Sequence, residues 1–138
     1  MSRERNEEIM RRYLNEVLIQ KKIEVIKDIA AEDMWDHTQP KRGRDGLEKH
    51  ASGFLAHIQN LRIVINHIVA DNDTVVGIWT WCGTPLTQFL GIPGGRELEC
   101  RVTSIFKIRK NLITDYSLIC AAKTTNEPIQ QGGLSNLS

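Results

Sequence analysis

Apolar residues follow a helical period through the first third of the chain. Over residues 6–20 they recur at three- and four-residue spacing, which predicts an amphipathic helix. A shorter helix is predicted over residues 22–30, and Asp45 is positioned to cap a third helix. The apolar positions of this third helix are Leu47, Ala51, Phe54, Leu55 and Ile58.

After Asn60 the apolar period changes from helical to two. This alternation predicts four strands, over residues 62–70, 74–82, 97–109 and 112–121, all rich in Val, Ile, Thr or Trp. The short polar segments between the first two strands and between the last two predict antiparallel hairpins. Three helices followed by these strands predict an α+β fold, in which the helices cover one face of a curved antiparallel sheet.

The two central strands differ in how their faces are populated. Strand 97–109 alternates apolar and charged residues, so one face is expected to be buried and the other wet or at an interface. Strand 74–82 is apolar on both faces, and we expect a second subunit to cover its back. The apolar face of strand 97–109 comprises Leu98, Cys100, Val102, Phe106 and Ile108.

Composition narrows the class of protein. A length of 138 residues suits one domain, which we place at residues 1–124, followed by a Gln-, Gly- and Ser-rich tail at 125–138 that is expected to be disordered. The net charge of +1 argues against a nucleic-acid partner. No apolar run approaches the ~20 residues that a membrane span needs. With no signal peptide and three scattered cysteines, we predict a cytoplasmic protein with reduced thiols.

Several ligand sites can be excluded from spacing. His50 and His57 share a helical face, but seven residues of helix separate them by ~10.5 Å, too far for one zinc ion. Segment 71–73 lacks the rest of a calcium loop, and the glycines of 91–95 are not followed by the lysine of a phosphate-binding loop. The sequence therefore predicts no metal site.

An acidic residue beside a histidine remains as a candidate for chemistry. Asp36 and His37 follow Trp35 at the end of a short predicted strand, and together they can accept and donate a proton. A carboxyl group in an apolar pocket would have a raised pKa and could exchange protons near neutrality. The alternative is a surface Asp-His pair in a loop, without function.

Several segments resemble the SnoaL-like polyketide or ester cyclases. The similarity starts with residues 12–17 and 34–37, continues through 79–84, and ends in the strand that begins near Arg96. Its most specific element is the run Phe89-Leu90-Gly91-Ile92-Pro93, followed by glycine, arginine and a strand. The resemblance covers residues 7–122 in order.

This resemblance implies a fold and an activity. The fold is that of nuclear transport factor two and scytalone dehydratase, a cone-shaped sheet with helices that enclose a pocket, in a homodimer. The activity is acid–base chemistry without a cofactor or metal. In the family's cyclases a carboxylate removes an acidic C–H proton beside carbonyl groups, and an intramolecular aldol reaction closes a ring.

The sequence departs from the family at two positions. The acid/base aspartate of the cyclases falls on Ser117, and its histidine partner falls on Ser104. A serine cannot act as a general base at pH 7 without a base of its own. Asp115 shares a strand face with Ser117 and could reach the pocket mouth or be a solvated residue. Asp36, supported by His37, is therefore the main candidate.

The leading hypothesis is a cyclase or isomerase of secondary metabolism that acts on a hydrophobic polycyclic, polyketide- or terpenoid-like small molecule. Trp35, Phe54, Trp79 and Trp81 would shape the pocket, although large aromatic residues are often simply core. Epoxide opening or water addition on the same fold is a related alternative. A non-catalytic binding or dimerisation module is the other, since a fold alone does not decide function.

Overall fold

The first helix changes its winding at Tyr13. The computed structural model describes residues 2–125, where α1 spans Arg3–Arg12 and continues as a π-helix over Tyr13–Ile19. Ser2 Oγ accepts the Arg5 backbone N–H at 3.1 Å and caps the helix. The predicted apolar face is confirmed, since it is buried along the whole segment. Its residues are Ile9, Met10, Tyr13, Leu14, Val17 and Leu18.

The second predicted helix is present but short. It consists of a 3₁₀ turn at Ile23–Val25 and α2 at Ile26–Ile29. It ends there because Ala30 adopts extended backbone angles and begins β1, Ala30–Asp36. The buried face is nevertheless the predicted one, so the pattern identified the correct side of the segment.

The third helix, α3, spans Arg44–His57 and runs directly into a strand that begins at Ile58, a residue predicted to belong to this helix. The predicted cap at Asp45 is wrong, because the N-cap position is Gly43 with φ 119°. Glycine tolerates this positive φ, which other residues rarely adopt. Asp45 lies instead in the first helical turn, where a carboxylate interacts favourably with the helix dipole.

Six strands form one sheet. After β1 they are β2 at Lys41–Arg42, β3 at Ile58–Ala70, β4 at Thr74–Pro85, β5 at Leu98–Arg109 and β6 at Leu112–Thr124. Their order in the sheet is β2-β1-β6-β5-β4-β3. Both predicted antiparallel hairpins, β3/β4 and β5/β6, are confirmed. Three of the four predicted strands extend beyond their predicted bounds, since periodicity specifies the type of an element more sharply than its ends.

One strand pair is parallel, which the sequence pattern did not predict. β1 pairs with β6 in parallel, with Ala30 opposite Ile113 and Asp36 opposite Tyr116. The sheet is therefore mixed rather than wholly antiparallel. This pairing brings Asp36, from the first third of the chain, next to the last strand.

The helices pack against one face of the sheet, which we call the inner face. At Gly77 of β4 an added Cβ would lie 2.7 Å from Met10 Sδ, so the glycine permits α1 to approach the sheet closely. The predicted apolar face of β5 is confirmed as its inner face, since Leu98, Cys100 and Val102 are buried there. The α+β architecture with three N-terminal helices is confirmed as well.

No helix within residues 2–125 combines the length and the apolar character that a membrane crossing requires. The tail that the sequence predicts to be disordered lies, apart from Thr125, outside the described residues.

Candidate functional site

A cavity of about 320 Å³ lies between α3, the π-helix and the inner face of the sheet. Apolar and aromatic side chains form most of its wall, as is usual for small-molecule sites. The ionisable or nucleophilic side chains that line it are Tyr13, Lys49, His50, His57, Tyr116 and Cys120.

Aromatic rings form one side of the cavity. Trp79 and Trp81 are two residues apart on β4, so both project from the inner face. Phe54 of α3 meets both of them edge to face, with ring centroids 6.1 and 5.4 Å away. Phe89, from the segment between β4 and β5, packs on Trp81 at 5.3 Å. Three of the four predicted aromatic residues thus line the cavity.

Ser104 lies behind this aromatic wall rather than in the cavity lining. It is 1% exposed on β5, and its Oγ accepts a 3.0 Å hydrogen bond from Trp79 Nε1. The hydroxyl satisfies the only polar atom of the buried indole and fixes the ring plane. Ser104 therefore contacts a predicted binding residue without facing a ligand itself.

Asp36 is fully buried but is not part of the cavity lining. Its Oδ1 accepts the backbone N–H of Thr38 at 2.8 Å and the Thr38 hydroxyl at 2.6 Å, and its Oδ2 accepts Gln39 Nε2 at 3.1 Å. These three bonds compensate the carboxylate for its loss of water. Asp36 is thus held behind the wall, close enough to act on neighbours by its charge.

His37 and Asp115 pair with each other away from the cavity. His37 Nε2 lies 3.0 Å from Asp115 Oδ2, and both side chains are partly exposed. Desolvation alone would raise the pKa of Asp115, but hydrogen bonds from His37 and Thr114 hold it below its ordinary value. His37, in the turn after β1, therefore contacts Asp115, whereas the Asp36 carboxylate accepts its hydrogen bonds from Thr38 and Gln39.

Trp35 and Ser117 also lie on the outer face of the sheet. Trp35 stacks under the Arg42 guanidinium, with 5.0 Å between the Arg42 Cζ and the ring centroid. Ser117 is opposite Ile105, and directly opposed residues share a face. The inner face at this level belongs to Ser104 and Leu118. None of Trp35, Ser117 and Asp115 is among the residues that line the cavity, so their predicted roles stay predictions.

His50 is the functional candidate that sequence reasoning did not select. It lies on α3, is half-buried, and lines the cavity with its ring 6.0 Å from that of Tyr116. Desolvation lowers the pKa of His50, while the Asp36 carboxylate opposes part of that effect. The sequence did indicate that His50 faces the sheet, because it falls on the same helical stripe as Leu47, Ala51 and Phe54.

Two buried tyrosines line the cavity together with His50: Tyr13 begins the π-helix and Tyr116 lies on β6. Tyr13 and Tyr116 are 2% and 1% exposed, and their hydroxyl groups interact with each other. Burial raises the pKa of both, and the nearby Asp36 carboxylate raises each further. Both phenols therefore keep their protons. Because one hydroxyl donates to the other, the pair has one further O–H that can serve as a hydrogen-bond donor.

His57 lies at the rim of the cavity and binds the segment that follows β4. Its Nε2 accepts the Thr87 backbone N–H at 3.0 Å and lies 2.8 Å from the Thr87 hydroxyl. Since Nε2 accepts a hydrogen bond from a backbone amide, it carries no proton in this arrangement. The contact ties the segment after β4 to the end of α3, next to Phe89.

Comparison with known proteins identifies a family that the sequence matches and solved structures that have a similar fold. Residues 8–120 match the model of the family described as SnoaL-like polyketide cyclase. The fold is similar to TsrD from Streptomyces laurentii, with a TM-score of 0.74 and 18% identity over 87% of this chain and 90% of that chain. It is also similar to a SnoaL-like polyketide cyclase from Agrobacterium tumefaciens, with a TM-score of 0.73 and 18% identity over 82% and 88% of the two chains.

A comparison with curated proteins finds no match. At such low identities the structural similarities establish the fold, whereas the match to the family model spans most of the sequence. By that match, the chain belongs to the family of SnoaL-like polyketide cyclases.

Proposed function

We propose that the protein is a cofactor-free acid–base enzyme, a cyclase or isomerase of secondary metabolism, and that His50 transfers the proton. The substrate is a hydrophobic polycyclic, polyketide- or terpenoid-like small molecule with an acidic C–H bond beside a carbonyl group. The observation that carries the proposal is a half-buried imidazole on the cavity wall, with a fully buried carboxylate behind it.

The environment of His50 suits a general base. Desolvation keeps the imidazole neutral at pH 7, which leaves a ring nitrogen free to accept a proton. Once protonated, the imidazolium would be stabilised by the charge of Asp36. The carboxylate itself is sealed behind the wall by Thr38 and Gln39, so it acts on His50 rather than on a substrate.

Tyr13 and Tyr116 supply the complementary group. Removing a proton beside a carbonyl places negative charge on the carbonyl oxygen. A fixed hydroxyl donor near that oxygen stabilises the charge where it develops. Both phenols retain their protons and line the same cavity as His50. Proton acceptor and oxygen-binding donor are therefore available on neighbouring walls.

The size and lining of the cavity indicate the class of substrate. About 320 Å³ is near the lower end of the range for small-molecule sites, which suits two or three fused rings. The aromatic rings of Phe54, Trp79 and Trp81 can stack on such a ring system, while His50 and Tyr116 contact its polar edge.

The test uses a bicyclic ketone, 2-tetralone, in D₂O, with exchange of its α-protons followed by NMR. We expect the protein to accelerate exchange and His50→Gln to reduce the accelerated rate by about a hundredfold or more, as for loss of a general base. The matched control is His67→Gln, because His67 is exposed on the outer face of β3. Equal rates for both variants would remove His50 from the mechanism. Binding of 2-tetralone without accelerated exchange would favour the non-catalytic alternative.

We further propose that a second copy of the chain covers the outer face of the sheet. Val64, Val69 and Ile119 are 59%, 62% and 67% exposed there, beside half-buried Ile78 and Ile105. These five side chains, the outer apolar patch, leave more apolar surface in water than isolated surface residues would. A shallow groove of about 390 Å³ along β5 and β6 adjoins the patch. The outer face is therefore concave there, and a complementary surface of a second copy can fit into it.

A further inference from the structure

Two of the three cysteines meet on the inner face of the sheet. Cys100 on β5 is opposite Ala122, and Cys120 on β6 is opposite Val102, so the two cysteines are diagonal neighbours. Diagonal pairs on one face have Cα atoms ~7–8 Å apart with their Cβ atoms closer. The thiol of Cys100 interacts with the sulfur of Cys120. Cys82, by contrast, lies on the outer side of β4.

The two thiols differ in access. Cys100 is fully buried, and the Trp81 side chain hydrogen-bonds to its sulfur. Cys120 is half-buried and lines the cavity beside Leu118 and Tyr116. A molecule in the cavity can therefore reach the Cys120 sulfur, while Cys100 supports that sulfur from behind.

The contact between Cys100 and Cys120 also shifts the pKa values of the two thiols in opposite directions. The hydrogen bond from Cys100 lowers the pKa of Cys120 to about 7, against the opposing effect of desolvation. The same contact, together with burial, raises the pKa of the Cys100 thiol. The pair thus keeps one proton on the buried sulfur and leaves the negative charge on the sulfur that faces the cavity. A thiolate is the nucleophilic form of cysteine.

We propose that Cys120 is a covalent attachment site for α,β-unsaturated carbonyl compounds that enter the cavity. The Cys120 sulfur donates an electron pair to the β-carbon, so a C–S bond forms as the C=C π bond breaks. The electrons move to the carbonyl oxygen, and the α-carbon then takes up the proton that the thiol released. The product is the simple adduct of S–H across the double bond, and no further reactant is needed.

The surroundings of Cys120 favour this class of electrophile. Tyr116 lies near enough to Cys120 for their charges to interact, and the hydrogen-bonded hydroxyl pair of Tyr13 and Tyr116 has one O–H left to donate to the carbonyl oxygen. The rings of Trp79, Trp81 and Phe54 accommodate the apolar remainder of the compound. The inference does not depend on proton transfer by His50, because attachment is measured without turnover.

The experiment follows labelling of the protein by 2-cyclohexen-1-one with intact mass spectrometry and peptide mapping, across a range of pH. At pH 7 a thiol with a pKa near 7 is ~15-fold more ionised than an ordinary one, and its lower nucleophilicity offsets ~5-fold of that. We expect Cys120 to react at least about threefold faster than Cys82, with a pH midpoint near 7. Cys120→Ser should abolish the fast reaction, and Cys82→Ser should leave it intact.

Cys100→Ala tests the contribution of the buried thiol. We expect the midpoint for Cys120 to move upward by about one pH unit toward that of an ordinary thiol. If Cys100→Ala does not fold, as judged by circular dichroism, the wild-type pH profile decides. The proposal is overturned if Cys82 is labelled first, or if Cys120 shows the midpoint of an ordinary thiol.

Discussion

Trp79 Nε1 donates a 3.0 Å hydrogen bond to the buried Oγ of Ser104 across β4 and β5. The bond satisfies the one polar atom of the indole and orients the ring as part of the cavity wall. Ser104→Ala would leave the indole N–H buried without its partner, which typically costs about 1–3 kcal/mol. We expect a loss of that size in the free energy of unfolding, measured by urea denaturation.

The matched control for this variant is Ser117→Ala on the outer face of β6, where Ser117 is half-buried. A change within about 0.5 kcal/mol is expected there, as for most surface substitutions. Comparable losses for the two variants would show that the Trp79–Ser104 bond carries no special share of stability.

His50 makes stability depend on pH in a defined direction. Its pKa in the folded protein is lowered, chiefly by desolvation, whereas an unfolded histidine titrates near 6.5. Below about pH 6.5 the unfolded chain takes up a proton that the folded protein does not, so stability falls as the pH falls. Above that range this group contributes no pH dependence.

Urea denaturation at pH 7.5 and pH 5.5 measures this effect. The loss of stability between the two values should be smaller in His50→Gln than in the wild type, by at most about 1.4 kcal/mol per pH unit. Ser52→Ala provides the control, because Ser52 is exposed on α3 and has no titrating group, so this variant should leave the difference unchanged. An unaltered difference in His50→Gln would mean that the histidine is not desolvated.

Two glycine-to-alanine substitutions should change stability in opposite directions. At Gly83 an added Cβ would lie 2.4 Å from Ile58 Cγ2 and 3.0 Å from the Gln59 carbonyl oxygen, with no room to relax. We expect Gly83→Ala to lower the free energy of unfolding by about 1–3 kcal/mol. At Gly53 of α3 nothing lies within 4 Å, and Gly53→Ala should raise it by about 0.5–1 kcal/mol. Thermal and chemical denaturation of both variants check the two signs.

The outer apolar patch predicts the effect of a charge on assembly. Ile119→Lys places an ammonium group on the most exposed residue of the patch, at its β6 side, and desolvating this charge in an interface would be costly. We expect sedimentation velocity to show a dimer for the wild type and a monomer for this variant. Leu86→Lys is the control, since Leu86 is 53% exposed in the segment after β4, away from the patch. A wild-type protein that sediments as a monomer at micromolar concentration would refute the proposed dimer.

Much of the local structure follows from periodicity alone. The stripe of apolar residues in α1 and the alternation in β5 depend only on neighbours within a few positions, so the buried sides were predictable. Phe54, Trp79 and Trp81 were predictable as cavity residues for the same reason, because each lies on the apolar face of its element.

Long-range pairing decided the rest. The parallel register of β1 with β6 turns Asp36 inward beside Tyr116 and leaves His37 to pair with Asp115 outside, although Asp36 and His37 are adjacent in sequence. No local pattern specifies which strand will lie next to β1. The sequence by itself determined which faces are buried, whereas only the tertiary structure decided that His50 and Cys120 share one cavity, since that depends on the packing of distant segments.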